Sequence, residues 1–150
     1  MTWYRDAEAE LTLVASAIQS QRSIQLDRLE ILAASLVASL KRSDELIVMA
    51  LSSPSGSPLL TNLVNVAVVA TKVGMGLGYY GRELERLALA GLVHDIGLFA
   101  VPQSLLTKAG RLTADERTLI EQHPELGYET IKRSASDHTW LAELVRQAHE

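Results

Sequence analysis

The chain contains no cysteine, which removes disulfides, thiolate zinc sites and cysteine nucleophiles together. It also lacks an excess of basic residues: 14 Lys and Arg against 18 Asp and Glu leave a net charge of -4. Binding to duplex DNA or RNA rests largely on Lys and Arg neutralising phosphates, so no such partner is expected. A small anion is still possible, because a metal ion or two local cations can hold one. The opening residues, MTWYRDAEAE, show no basic stretch followed by an apolar core, so no secretory leader is expected. No run approaches the roughly 20 apolar residues of a membrane span. The expectation is a cytoplasmic protein with no membrane partner. Hairpin signals and internal repeats are missing as well.

What is there is enough for a real core. The chain has 150 residues, 47% hydrophobic and 21% charged, and a chain of that length buries roughly 68–70% of its unfolded surface. Between Asp6 and Ser52 apolar residues fall at helical spacing: Leu13, Val14, Ala17 and Ile18, then Leu29, Leu32, Leu36 and Leu40. One long helix or two consecutive ones fit, with Gln19 to Ser23 as the weak point. The stretch SSPSGSP (Ser52 to Pro58) reads as a loop. It divides the chain into an N-terminal helical segment, residues 1–52, and a second helical domain, residues 59–150. Thr61 to Val73 is rich in Val and Ala and fits a buried helix or a buried strand. Arg82 to His94 has helical period, with Leu84, Leu87, Ala88 and Gly91 on one face. Thr113-Ala114-Asp115-Glu116 has the form of a capping box and opens a helix running to His123, where Pro124 follows. Further helices are expected near Glu125 to Arg133 and from Thr139 to the end. The fold class is all-α.

One motif points elsewhere. Gly76-Leu77-Gly78-Tyr79-Tyr80-Gly81 matches G-x-G-x-x-G, with VNVAVVA before it. A dinucleotide loop would make Val64 to Ala70 a strand and place a pyrophosphate at the start of the helix near Arg82. A parallel sheet needs further strands, and everything after Arg82 has helical period or loop composition. Gly78 as a left-handed helix cap is the favoured reading, with no nucleotide bound there.

The run LVHDIGLFAVP (Leu92 to Pro102) places an imidazole and a carboxylate side by side among apolar residues. Burying such groups costs several kcal/mol, on the order of 2–7 for a neutral polar group, unless something pairs with them. Of the four histidines, His94 ends a buried helix, His123 ends the next strong one, and His149 lies in the last. Three helices of a bundle can bring one histidine each, together with Asp95, to a common point. Imidazole with carboxylate suits Mn, Fe, Zn or Ni. His138, in the polar segment SASDHT, is assigned to solvent.

Taken in order, these motifs resemble a known family. The run LALAGLVHDIGLFAVPQSLLTKAGRLTADERTLIEQHPELGYETI is similar to the HD superfamily of metal-dependent phosphohydrolases, in its HD-GYP branch. That branch has an HDIG motif, a Pro-containing loop, an N/T-K-x-G-x-L-T segment and a helix ending in HP-x-x-G. Here these are His94-Asp95-Ile96-Gly97, Pro102, Thr107 to Thr113, and His123-Pro124-Glu125-Leu126-Gly127. Ala148-His149-Glu150 is similar to the start of the family's HHE segment. The resemblance spans roughly Asn62 to Glu150 and implies an HD-domain-like helical bundle, with the N-terminal helices packed on it or preceding it. It implies a divalent transition metal, Fe or Mn, held by His94, Asp95, His123 and His149, with Asp95 the central catalytic ligand. It also implies cyclic di-GMP or another phosphoester as substrate, hydrolysed by water activated at the metal.

The resemblance has gaps. The family's first metal histidine aligns with Asn62, its lysine after HDIG with Leu98, and the first histidine of HHE with Ala148. The chain also stops before the GYP signature, so residues 1–150 are expected to be a fragment. Two functions follow from this pattern. One is a degenerate domain kept as a regulatory or interaction module, with a protein partner or a second copy as its contact and weak or no catalysis. The other is an active phosphodiesterase working with a reduced metal site.

Overall fold

The computed structural model describes residues 2–52 and 56–150, and among these every regular element is helical. In chain order they are α1 (Thr2–Gln19), α2 (Leu26–Arg42), α3 (Glu45–Leu51), α4 (Pro58–Gly76), α5 (Arg82–Val93), a 3₁₀ helix (Ile96–Ala100), α6 (Gln103–Leu106), α7 (Ala114–Glu121), α8 (His123–Ser134) and α9 (Thr139–Gln147). The all-α expectation holds, and α1 and α2 separate at the weak point near Gln19. Residues 53–55 of the expected Ser52–Pro58 loop lie outside the described residues. Pro58 opens α4 from the first turn, where its missing N–H costs nothing.

The open choice between helix and strand for Thr61 to Val73 resolves as helix. Thr61, Leu63, Val64, Ala67, Val68, Thr71 and Gly74 are buried, a three-and-four spacing that places them on one side of a helix. A strand at Val64 to Ala70 is therefore excluded. The glycine motif ends this helix: Gly78 has φ +88, its N–H donates to the Met75 carbonyl at 3.1 Å, and the Tyr79 N–H donates to the Gly74 carbonyl at 2.9 Å. That bond pair is a Schellman cap, which needs a left-handed residue at Gly78. α4 also corrects an expectation. Its 19 residues are long and apolar enough to cross a membrane by length and composition, although its buried residues line one helix face, as in a core helix.

The chain divides into two compact units, Met1–Leu13 with Gln25–Val93, and Val14–Ile24 with His94–Glu150. In the first, α4 packs along α5, α2 packs on α5, and α3 packs on α4. A methyl group on Gly91 would lie 2.5 Å from the Ala67 Cα, so α4 and α5 meet backbone to backbone. Leu29, Leu36, Leu63, Val64, Leu84 and Leu92 are fully buried there. The Trp3 indole N–H donates to the Leu32 carbonyl at 3.0 Å.

In the second unit, α8 packs against both α9 and the 3₁₀ helix, over Ile96, Ile131, Leu141 and Val145, all fully buried. The capping box forms as expected: the Glu116 N–H donates to Thr113 Oγ1 at 3.2 Å, and the Thr113 N–H donates to Glu116 Oε2 at 2.8 Å. Lys108 reaches the same carboxylate oxygen at 2.6 Å. The helix from this box ends at Glu121, and His123 begins the next helix rather than closing this one. Pro124 is the reason. A proline ring clashes inside a helix but suits its first turn, so it starts α8 and leaves His123 at that helix's N-terminus.

Candidate metal centre

His94 and Asp95 occupy the turn after α5, with Asp95 capping the 3₁₀ helix that begins at Ile96. His94 therefore sits just beyond its helix rather than at its last turn. His149 likewise lies beyond α9, which ends at Gln147, and not inside it. Turn placement frees all three side chains from the period of a helix and lets them converge.

Their convergence is on one carboxylate. Asp95 is 8% exposed. His149 Nε2 is 2.7 Å from Asp95 Oδ1, and His123 Nε2 is 3.3 Å from that same oxygen. His94 Nε2 lies 3.2 Å from the other oxygen, Oδ2. The His123 and His149 rings meet edge to face, with centroids 4.9 Å apart. One ligand atom each from Asp95, His123 and His149 falls within 4.8 Å of the others, so this group could hold a metal ion. Two of the three expected histidines thus meet at Oδ1, and His94 stands on the opposite oxygen.

Burial opposes ionisation of the Asp95 carboxyl, but the His123, His94 and His149 imidazoles set against its oxygens outweigh it and hold the group well below the usual carboxylate range. Burial also opposes protonation of His123, but the Asp95 carboxylate facing its Nε2 and the Ile120 carbonyl at its Nδ1 prevail and raise its pKa. In the absence of a metal the site balances one carboxylate against a His123 imidazole that favours protonation.

The donor set fits a transition metal. His123 Nδ1 is 2.7 Å from the Ile120 carbonyl oxygen, which can only accept, so Nδ1 carries a proton. In the neutral ring Nε2 then presents its lone pair toward Asp95 Oδ1. Nε2 is buried and makes no hydrogen bond of acceptable geometry. Two acceptors facing each other at 3.3 Å need a cation between them, either a proton or a metal ion. Metal-ligating histidines characteristically donate their second ring N–H to a carbonyl or carboxylate in this way. Nothing in the sequence marks the Ile120 carbonyl, because a backbone group three residues before a histidine carries no side-chain signature.

The three positions that depart from the family pattern lie apart in the chain. Leu98 is partly buried in the 3₁₀ helix, Ala148 is exposed at the end of α9, and Asn62 is exposed on α4. His138 is not the solvent-facing residue expected of it. Its side chain is 17% exposed with Nδ1 at 3.1 Å from Asp137, at the position just before α9.

Comparison with known proteins identifies the family. The HD domain family model matches residues 28–150. The chain is 33% identical over 87 residues to the cyclic di-GMP phosphodiesterase response regulator RpfG of Xanthomonas campestris, covering 58% of this chain and 23% of that one. It is 34% identical over 97 residues to a cyclic di-GMP phosphodiesterase of Pseudomonas aeruginosa, covering 60% and 22%. It is 30% identical over 84 residues to a 3′3′-cGAMP-specific phosphodiesterase of Vibrio cholerae, covering 56% and 16%. The chain therefore spans less than a quarter of the length of these relatives. No solved structure matches it significantly.

Proposed function

The chain belongs to the HD domain family, in its HD-GYP branch, and on that premise we propose that His94, Asp95, His123 and His149 hold one divalent transition metal, Fe or Mn. In this reading the domain is a regulatory or interaction module with weak or no hydrolysis of cyclic dinucleotides. The observation that supports it is the sharing of one carboxylate: imidazoles from His123, His149 and His94 all lie within 3.3 Å of Asp95. One carboxylate and three imidazoles make a ligand set for one ion rather than two, and of a type suited to Fe or Mn. When bound, such an ion supplies Lewis acidity and lowers the pKa of water toward neutrality.

The chain's own residues set what that ion could do. Asp95 supplies the negative charge at the centre, and Ile120 holds His123 in the tautomer that leaves Nε2 free to coordinate. Leu98 follows Gly97 where the family carries a lysine, so a substrate phosphate meets no cation there. Without that anchor the phosphodiester is poorly positioned, and positioning is a large share of such catalysis. The contact partner in this reading is another protein or a second copy of the chain, and the location is the cytoplasm.

One observation favours the second reading, an active phosphohydrolase with a reduced site. The His149 side chain is half exposed, so one side of the cluster is open to a ligand, and the relatives above are named as phosphodiesterases. Metal analysis and cyclic di-GMP turnover on the same purified sample separate the two. About one Fe or Mn per chain with little turnover is the expected result. Two ions per chain with rapid hydrolysis would overturn it in favour of the enzyme.

A further inference from the structure

We infer that Gly97 and Gly127 are positioning residues for this centre: their bare backbones let the Asp95 turn and the N-terminus of α8 approach closely enough to share one ion. The inference rests on the metal reading above. A methyl group on Gly97 would lie 1.8 Å from the His123 carbonyl oxygen, 2.7 Å from its carbon and 2.9 Å from the Gly127 nitrogen. All three obstacles are main chain at the start of α8, so no rotamer change relieves the clash. The 3₁₀ helix and α8 would have to separate by roughly 1 Å or more, since non-bonded carbon contacts settle near 3.5–4.0 Å.

That separation acts directly on the ligands. Asp95 is two residues before Gly97, and His123 is the very residue whose carbonyl the methyl would strike. Their ligand atoms are 3.3 Å apart, and metal–ligand distances tolerate only about ±0.2 Å. Gly127 works on the other side of the same contact. A methyl there would lie 2.6 Å from Val145 Cγ1 on α9, and 3.5 Å from the Gly97 nitrogen. Its main obstacle is a side chain, and that side chain sits on the helix leading to His149. The two glycines thus hold α8 against both elements that carry its partner ligands.

The difference between the two obstacles supplies the test. The 150-residue chain and its variants would be titrated with Co(II), read by its visible ligand-field bands, with helical content followed by circular dichroism. Wild type is expected to bind about one Co(II). Gly97→Ala should keep its helical signal but bind Co(II) about 10–100-fold more weakly, the range seen when groups supporting metal ligands are altered, with shifted bands. Gly127→Ala should also weaken binding, and adding Val145→Ala should restore it by removing the obstructing methyl. A merely structural glycine would behave differently: folded Gly97→Ala would bind normally, and the double variant, carrying a void, would gain no affinity. Failure of wild type to bind Co(II) overturns the metal reading and the positioning role with it. Wild-type binding with unchanged affinity and bands in folded Gly97→Ala overturns the positioning role alone. If Gly97→Ala does not fold, the Gly127 pair decides: weakening and rescue support the role, and either one missing overturns it.

Discussion

Two glycines, one in each compact unit, do the same physical thing to different effect. Gly91 lets α5 lie on α4, where an added methyl would come within 2.5 Å of the Ala67 Cα. Gly97 lets the turn after α5 lie on α8, where an added methyl would come within 1.8 Å of the His123 carbonyl oxygen. Around Gly91 stand Ala67 of α4 and, on α5 itself, Ala88 and Leu92, all fully buried, and the contact yields packing only. Around Gly97 they are His94, Asp95 and His123, and the contact fixes the distance between charged and polar atoms. Close backbone approach is a general device. What it produces depends on whether the side chains it brings together merely exclude water or must meet at a defined separation.

The largest effect should come from the charge at the centre. Asp95→Asn keeps the shape of the side chain but removes the anion that three imidazoles share, and is expected to weaken metal binding at least about 100-fold, measured by titration calorimetry with Mn(II). Retained affinity would mean that the histidines bind without it, and the contrast between the units would lose its basis. Gly91→Ala tests the other side of the comparison. Overpacking of a tight contact costs about 1–3 kcal/mol, less up to roughly 1 kcal/mol regained from replacing glycine inside a helix. Urea unfolding should therefore show a clear loss of stability, with the metal-to-protein ratio at saturation unchanged. Loss of metal from this folded variant would show that the two contacts are not separable.

A third test uses pH on the metal-free chain. The depressed pKa of Asp95 contributes stability that is present above its unfolded value of 3.8 and is lost as pH falls below it. The raised pKa of His123 contributes stability that is fully present below 6.5 and is lost as pH rises through its folded value. Thermal unfolding of the metal-free chain should therefore shift to lower temperature on going from slightly acid to alkaline conditions. With metal present the trend should reverse, because protons compete with the ion for imidazole. A His123→Ala chain should lose both trends in large part. The smallest effect belongs to a site distant in kind from both glycines. Thr113→Ala removes one half of the capping box and should cost about 1 kcal/mol in the same unfolding measurement, with no change in metal affinity.

Much of the architecture is legible in the amino-acid order. Leu29, Leu36 and Leu40 announce α2 by their period, Thr113 and Glu116 announce the start of α7, and the absence of further strands speaks against a nucleotide loop at Gly76 to Gly81. These are local features: a helical period, a reciprocal side-chain bond and a left-handed glycine all act over a few residues, so neighbours in sequence carry the information. Even local reading fails where two rules compete. The proline after His123 suggests that this histidine closes α7, yet Pro124 starts α8 instead, since the same missing N–H that stops one helix suits the first turn of the next.

The centre itself is legible only as a set of residue types in order. His94, Asp95, His123 and His149 span 56 positions of the chain, and no periodicity relates them. Folding brings one oxygen of Asp95 within 3.3 Å of two imidazoles and leaves the third on the other oxygen. It also pairs Gly97 with the His123 carbonyl, and Ile120 with the His123 ring. None of these pairings has a sequence signature, because backbone carbonyls are the same at every position and a glycine does not name the atom for which it makes room. Residue order settles which chemical groups are available. Distances of a few tenths of an ångström between segments remote in sequence arise only from packing, and it is on distances of that size that coordination depends.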